Sequence, residues 1–252
     1  MHFKPSFALT LILITLAAGF LRLGLWQLDR KAEKTELFER FENAPSMSIE
    51  QALAQQAELA RVEAFGHYDE ARHVLLDNRI WNGRAGVQVL TPFILSDGRW
   101  VLVNRGWLPL PPDRLALPAV PTHAAERTIR GRLVPPSTDG PRLGEADVLV
   151  SDHWPQLVTY LDLADVGAAL GDSLQPWIVQ LDADEPTGFA DRQWSAAVME
   201  PAVHGAYAVQ WLALSTATLI IWITLGLRRG QQQALQRAAV QAGPRQTGDE
   251  SQ

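Results

Sequence analysis

The chain of 252 residues has a formal charge of −6, is 47% hydrophobic and contains no cysteine. The missing thiols exclude a disulfide framework, a thiolate nucleophile, c-type haem attachment and thiolate copper or zinc sites. The apolar residues are segregated into two runs, 7–26 and 203–227, each long enough for the roughly 20 residues that cross a hydrocarbon core.

In chain order, Lys4 precedes the first run, and Ala17-Ala18-Gly19 would pass as the cleavage site of a signal peptide. The apolar character nevertheless continues through Phe20, Leu21, Leu23, Leu25 and Trp26, which a cleaved signal does not require. Residues 7–26 are therefore expected to form an uncleaved transmembrane helix after a short N-terminus, 1–6. Arg22 falls near its outer end, where a long side chain reaches the headgroups. Beyond it, Leu28, Leu37, Phe38 and Phe41 are scattered among charges with no Gly or Pro. That predicts a helix continuing out of the membrane until Pro45. A capped second helix is expected from Ser48.

The period then changes. Residues 61–68, 73–77, 87–95 and 100–107 are short runs rich in β-branched or aromatic residues and punctuated by turn pairs such as Asp97-Gly98. Residues 128–134, 148–150 and 177–182 continue the series, with one short helix expected over 161–170 and a long Pro-rich loop over 108–121. The expected fold class is α+β: two transmembrane helices flank an antiparallel β-rich domain, residues 27–202, drawn as a curled sheet or open barrel with a few helices. This segment holds 16 Lys and Arg against 26 Asp and Glu, a net charge of −10. It should repel nucleic acid, whose phosphates need a basic face.

The second run ends at Leu227-Arg228-Arg229, a boundary that puts the C-terminus in the cytoplasm under the positive-inside rule. Two spans then place the N-terminus there too and the middle domain outside. Arg30, Lys31 and Lys34 argue the other way, but Asp29, Glu33 and Glu36 accompany them. Residues 228–252 are expected to be frayed helix and then a disordered cytoplasmic tail. The N-terminus reaches its span without an Arg-rich amphipathic leader, which fits a bacterial cytoplasmic membrane.

Few residues suggest chemistry. Gly171-Asp172-Ser173-Leu174 spells a serine-esterase signature, but no Asp lies three residues before any histidine to supply the Asp-x-x-His base of that family. A polar turn is the expected reading. His67 and His73 flank an expected hairpin turn at Asp69-Glu70, as metal ligands or simply as solvated side chains. His123 and His153 lie in loops. His204 differs, because it stands at the outer mouth of the second span, where an ionisable group is costly. Helical spacing puts Tyr207, Ala208, Trp211, Ser215, Thr218 and Trp222 on its face. That face suits either the other helix or a flat apolar ligand whose metal the imidazole holds. Equally, Tyr and Trp form the usual interfacial belt, and small residues promote helix packing.

Three blocks carry a family resemblance: Leu23-Gly24-Leu25-Trp26-Gln27-Leu28-Asp29-Arg30 with Lys34, Asn104-Arg105-Gly106-Trp107 within residues 89–109, and His204-Gly205-Ala206-Tyr207-Ala208-Val209-Gln210-Trp211. In order and spacing they resemble the surfeit locus protein 1 family of cytochrome oxidase assembly factors. The resemblance implies a non-enzymatic membrane factor that binds haem a and assists its insertion into the large subunit of a haem-copper oxidase. His204 would be the axial ligand of the haem iron. Tyr207 and Trp211 would line the site, and Arg22 and Arg30 would meet the propionates through charge-assisted hydrogen bonds, although Arg30 could instead pair with a local Glu. The implied partners are the large oxidase subunit, the haem A synthesis machinery and membrane lipid. Val203 departs from the pattern, standing where a basic residue often precedes the histidine. Two alternatives stand beside this reading: a scaffold for an assembly intermediate that binds no haem, and a two-span extracytoplasmic sensor or binding module.

Overall fold

A computed structural model describes residues 3–111, 116–136, 149–171, 174–197 and 199–241. In chain order the elements are α1 (Phe7–Glu42), β1 (Ser46–Ser48), α2 (Ile49–Gln55), β2 (Arg61–Tyr68), β3 (Val74–Trp81), β4 (Arg84–Leu95), β5 (Trp100–Pro109), β6 (Arg127–Val134), β7 (Gln156–Val158), α3 (Leu163–Leu170), β8 (Leu174–Leu181) and α4 (Pro201–Gln241). The chain divides into two compact units, Met1–Phe38 with Ala197–Gln252, and Glu39–Ala196.

The first unit is the helix pair. Both α1 and α4 contain a stretch long and apolar enough to cross a membrane, and only 11% and 17% of those stretches are buried. Their apolar side chains therefore point outward, unlike those of a core helix in a soluble domain. The two run antiparallel, as their contacts show: Lys4 N–H donates to the Gly226 carbonyl (3.1 Å), Trp222 Nε1 to Thr10 Oγ1 (3.0 Å) and Ser215 Oγ to the Ala17 carbonyl (2.9 Å). Close approach depends on small residues. A Cβ at Gly24 would stand 2.9 Å from the Leu212 side chain.

As expected, α1 continues through the charged segment 29–42, where Arg30 and Glu33 pair one turn apart (2.8 Å), and it stops before Pro45. Beyond its apolar stretch α4 continues to Gln241, over the part of 228–252 where frayed helix is expected. Residues 231–241 are Gln, Ala, Leu, Arg and Val without Gly or Pro, so propensity sustains the helix although no apolar stripe marks it. Residues 242–252 lie outside the described ones.

The second unit is the β-rich domain. Its eight strands run β1-β2-β6-β8-β5-β4-β3-β7, and an additional β2–β4 pairing joins β2, β6, β8, β5 and β4 into a closed barrel. Most pairings are antiparallel, as expected, while β1–β2, β3–β7 and β5–β8 are parallel. The connection from β7 through α3 to β8 returns the chain in the same direction as β5. Strand pattern fixes which residues face inward, not which neighbour a strand will take. Alternation is clear in β2, where Val62, Ala64 and Tyr68 are buried and Arg61, Glu63 and Phe65 exposed.

The barrel is filled by Val62, Ala64, Phe93, Val101, Val103, Ile129, Leu133 and Leu181, with Ile49, Ala52 and Leu53 of α2 packed against them. Ser48 caps α2 as expected, its side chain accepting from Gln51 N–H. A second cluster lies beneath α3, where Val166 and Leu170 meet Val74, Leu90, Leu102 and Ile178. A third, Leu75, Val87 and Val89, is covered by Leu117, Val120 and Phe189 of the loops. Residues 149–150 are not strand, contrary to expectation, and Val148 lies outside the described residues. The short strands β1 and β7 carry too few residues to show a period.

Candidate functional site

The site residues suggested by sequence fall in the helix pair. His204 lies in the first turn of α4, and its Nδ1 is 2.8 Å from Oε1 of Gln27 on α1. Its Nε2 is buried and has no hydrogen-bond partner among the described residues. A buried polar atom left so costs about 1–3 kcal/mol, and it marks a place where a ligand would be favourable. Arg30 is one turn beyond Gln27 on the same face of α1. Its Nη1 pairs with Glu33 (2.8 Å), while its Nε is buried without a partner among the described residues. Two unpartnered donors or acceptors thus occupy the same end of the helix pair.

The other three candidates are placed differently. Trp211 is two turns further along α4, and its ring stacks on Phe20 with centroids 5.7 Å apart. Tyr207 is 45% exposed. Arg22 is exposed, five residues before Gln27 and so about 140° around α1 from it; the structure does not bring it to His204. Most of the face shared by Ala208, Ser215, Thr218 and Trp222 is spent on packing against α1. An open apolar depression of about 550 Å³ along α1, lined by residues that include Leu11, Ile12, Leu16 and Phe20, does not reach His204.

Gln27 escaped the sequence reading as a site residue. Its signal was available, since it is an amide at the mouth of an apolar span within the first motif block.

In the β-rich domain the structure gathers a buried polar group around Arg105 of the Asn104-Arg105-Gly106-Trp107 block. Arg105 is 3% exposed. Its Nε donates to the Thr187 carbonyl (2.8 Å), Nη1 to Thr122 Oγ1 (2.7 Å) and Nη2 to the Pro121 carbonyl (3.1 Å). The guanidinium lies over the rings of Tyr68 (4.7 Å) and Phe189 (4.6 Å). Burial pushes its pKa down to about 10, so it stays a cation at neutral pH. Hydrogen bonds from every nitrogen and two aromatic faces make this a structural clamp.

His67 and His73 do not flank a hairpin, because β2 and β3 each pair with β4 and not with one another. Nor is His73 solvated: it is 4% exposed. Its Nε2–H donates to the Glu70 carbonyl (3.2 Å), and Nδ1 lies 3.1 Å from Thr91 Oγ1. With both nitrogens engaged it presents no lone pair to a metal. Burial, and then the charge of Arg105, lower its pKa from the ordinary 6.5. The unfolded chain thus takes up a proton near pH 6.5 that the fold resists, so this contribution to stability is complete above that value and declines as pH falls through it. Urea unfolding of the detergent-solubilised chain is expected to show a lower midpoint at pH 5.5 than at pH 7.5. His73→Gln should flatten that difference; an unchanged slope would refute the assignment. Asp69, whose burial raises its pKa but is outweighed by hydrogen bonds from the Ala71 and Arg72 backbone and by the Arg72 side chain, so that the net shift is down from the ordinary 3.8, loses its contribution only at lower pH and does not enter this window. The Gly171–Leu174 signature cannot be placed, as Asp172 and Ser173 lie outside the described residues.

Comparison with known proteins gives one consistent result. The family model described as the SURF1 family matches residues 14–216. A SURF1-like protein of Monosiga brevicollis is 30% identical, covering 84% of this chain and 85% of its own. Proteins named surfeit locus protein 1 from Takifugu rubripes and Xenopus tropicalis are 25% and 23% identical, each over 86% of this chain and over 96% and 76% of their own lengths.

Proposed function

The chain belongs to the SURF1 family, known generally as cytochrome oxidase assembly factors, and from that premise we propose that it holds haem a through His204 and assists its insertion into the large oxidase subunit. The observation that carries the reading is the Nε2 of His204, buried and without a partner among the described residues, at the mouth of an apolar helix pair. A haem would bring iron as a Lewis acid to that nitrogen. Arg30, one turn along α1 from Gln27, supplies a cation for a propionate. A single imidazole, with no second protein ligand in the reading, suits a carrier that must also release its cargo. The haem A synthesis machinery is then the donor and the oxidase subunit the acceptor.

The test is to produce the protein together with haem A synthesis enzymes and record the visible spectrum of the purified chain. A haem a band is expected, and His204→Ala should abolish it. No band, or a band indifferent to that substitution, would refute direct haem binding. One observation favours a second reading, a scaffold that steadies an assembly intermediate: Trp211 and Trp222, the broad rings of the His204 face, are already engaged by Phe20 and Thr10. In that case the spectrum stays empty while loss of the protein still lowers the level of assembled oxidase.

The proposed location is a bacterial cytoplasmic membrane, with both termini cytoplasmic and the acidic domain periplasmic. Arg228 and Arg229 after the apolar stretch of α4 support this orientation. Alkaline phosphatase fused after Gln241 should remain inactive, and activity there would reverse the topology.

A further inference from the structure

An imidazole offers a metal only the nitrogen that lacks a proton, so a neutral histidine is useful as a ligand in one tautomer at each site. At His204 the choice is made locally. Nδ1 faces the amide oxygen of Gln27 at 2.8 Å. A carbonyl oxygen can only accept, so this contact requires the proton on Nδ1. The lone pair is then on Nε2, the atom that is buried and unpartnered among the described residues. We propose that Gln27 is the positioning residue of the site: it holds His204 as the Nδ1–H tautomer and thereby presents Nε2 as the ligand atom. This rests on the haem reading above for its purpose, but not for its geometry.

Sequence and fold build the pair together. Gln27 and His204 are 177 positions apart and meet only because α1 and α4 pack antiparallel, with Gly24 admitting Leu212 one turn from Gln27 and Gly205 lying beside the stem of Lys31. The neighbouring Arg30 is tied to Glu33, so that carboxylate is engaged elsewhere and the partner of Nδ1 is a neutral amide. A carboxylate in that place would draw the proton away from the ring and make Nε2 more basic. A neutral amide orients the ring without strengthening the bond to iron as far, which fits transient loading. Were the amide reversed, its NH₂ would donate to Nδ1, the proton would sit on Nε2, and the ring would offer no ligand atom.

The experiment uses the full chain in detergent with ¹⁵N-labelled histidine, comparing the parent with Gln27→Leu and Gln27→Glu and assigning the His204 signals by their loss in His204→Ala. Long-range ¹H–¹⁵N correlation of the haem-free protein should show Nδ1–H for His204 in the parent and in Gln27→Glu, and loss of that preference in Gln27→Leu. An Nε2–H parent, or a Gln27→Leu variant that keeps Nδ1–H, overturns the proposal whatever haem does. With haem a loaded, Gln27→Leu should weaken binding by about 10- to 100-fold. Gln27→Glu should restore binding, raise the iron–histidine stretching frequency and lower the reduction potential. Equal frequency and potential in parent and Gln27→Glu would also overturn it. If the tautomer behaves as expected while the parent takes up no haem, the positioning role is supported and the haem reading alone fails.

Discussion

Arg105→Met should lower the stability of the protein by about 3–5 kcal/mol, the range expected when a buried, charged donor that ties several partly buried acceptors is removed at once. Methionine has nearly the length of the arginine stem but no donor, so the Thr187 and Pro121 carbonyls and the Thr122 hydroxyl lose their partner. The contact of the cation with Tyr68 and Phe189 disappears as well. These groups come from three places in the chain: β2, the loop before β6 and the loop after β8. One side chain thus holds two loops against the barrel. Against a total of about 5–15 kcal/mol for a domain, the loss would leave much of the protein unfolded at modest denaturant. A urea titration followed by tryptophan fluorescence reads it directly. Arg105→Lys should recover less than half, because an ammonium on a flexible stem lacks the planar fork that reaches all the acceptors. A midpoint for Arg105→Met within about 0.5 kcal/mol of the parent, the usual range for surface changes, would show that the clamp contributes nothing.

Gly106→Ala should have an effect of similar size, about 3 kcal/mol, through the backbone. Gly106 has φ of +102°, a conformation that L side chains rarely adopt. A Cβ there would also collide with the Ala190 carbonyl oxygen and stand 2.8 Å from the Arg192 side chain. The segment it would displace is hydrogen-bonded on both sides of Gly106: Trp107 N–H donates to the Ala190 carbonyl (2.7 Å) and Phe189 N–H to the Arg105 carbonyl (2.6 Å). Moving it takes Phe189 off the Arg105 guanidinium. The two substitutions should therefore be less than additive in a double-mutant cycle, since the second removes contacts already loosened by the first. Strict additivity would mean that Gly106 is required only for its dihedral angle and not for the approach of the 189–190 segment.

Together these expectations assign Asn104-Arg105-Gly106-Trp107 a role in building the domain. The block reads in sequence as a family signature with no stated job. Its chemistry is invisible there, because the close hydrogen-bond partners of Arg105 lie between 16 and 82 positions away and two are backbone carbonyls, which every residue possesses. His73 shows the same limit. In sequence it resembles a solvated histidine in a charged turn, whereas the pairing of β4 with both β2 and β3 brings Thr91 against its ring.

Local patterns were more informative wherever one face of an element meets one environment. The two apolar runs, the charged continuation of α1 to Pro45, the Ser48 cap, α3 and the alternation in β2 are each decided by residues within a few positions of one another. The helix beyond residue 228 is legible in its composition of helix formers, but the lack of an apolar stripe and the presence of Gly230 leave its extent unmarked.

Sequence alone is enough to place this protein in its class: two spans, an acidic β-rich domain, no thiol chemistry, and the three motif blocks that resemble the family to which it belongs. Periodicity and composition are local properties, and a single chain displays them. The direction of β7 and β8, the closure of the barrel by β2 and β4, the burial of Arg105 and His73, and the pairing of Gln27 with His204 emerge only on folding. Each of these is a contact between distant segments, chosen by which packing arrangement buries the apolar faces and satisfies the polar groups they enclose, and no neighbouring residue records that choice.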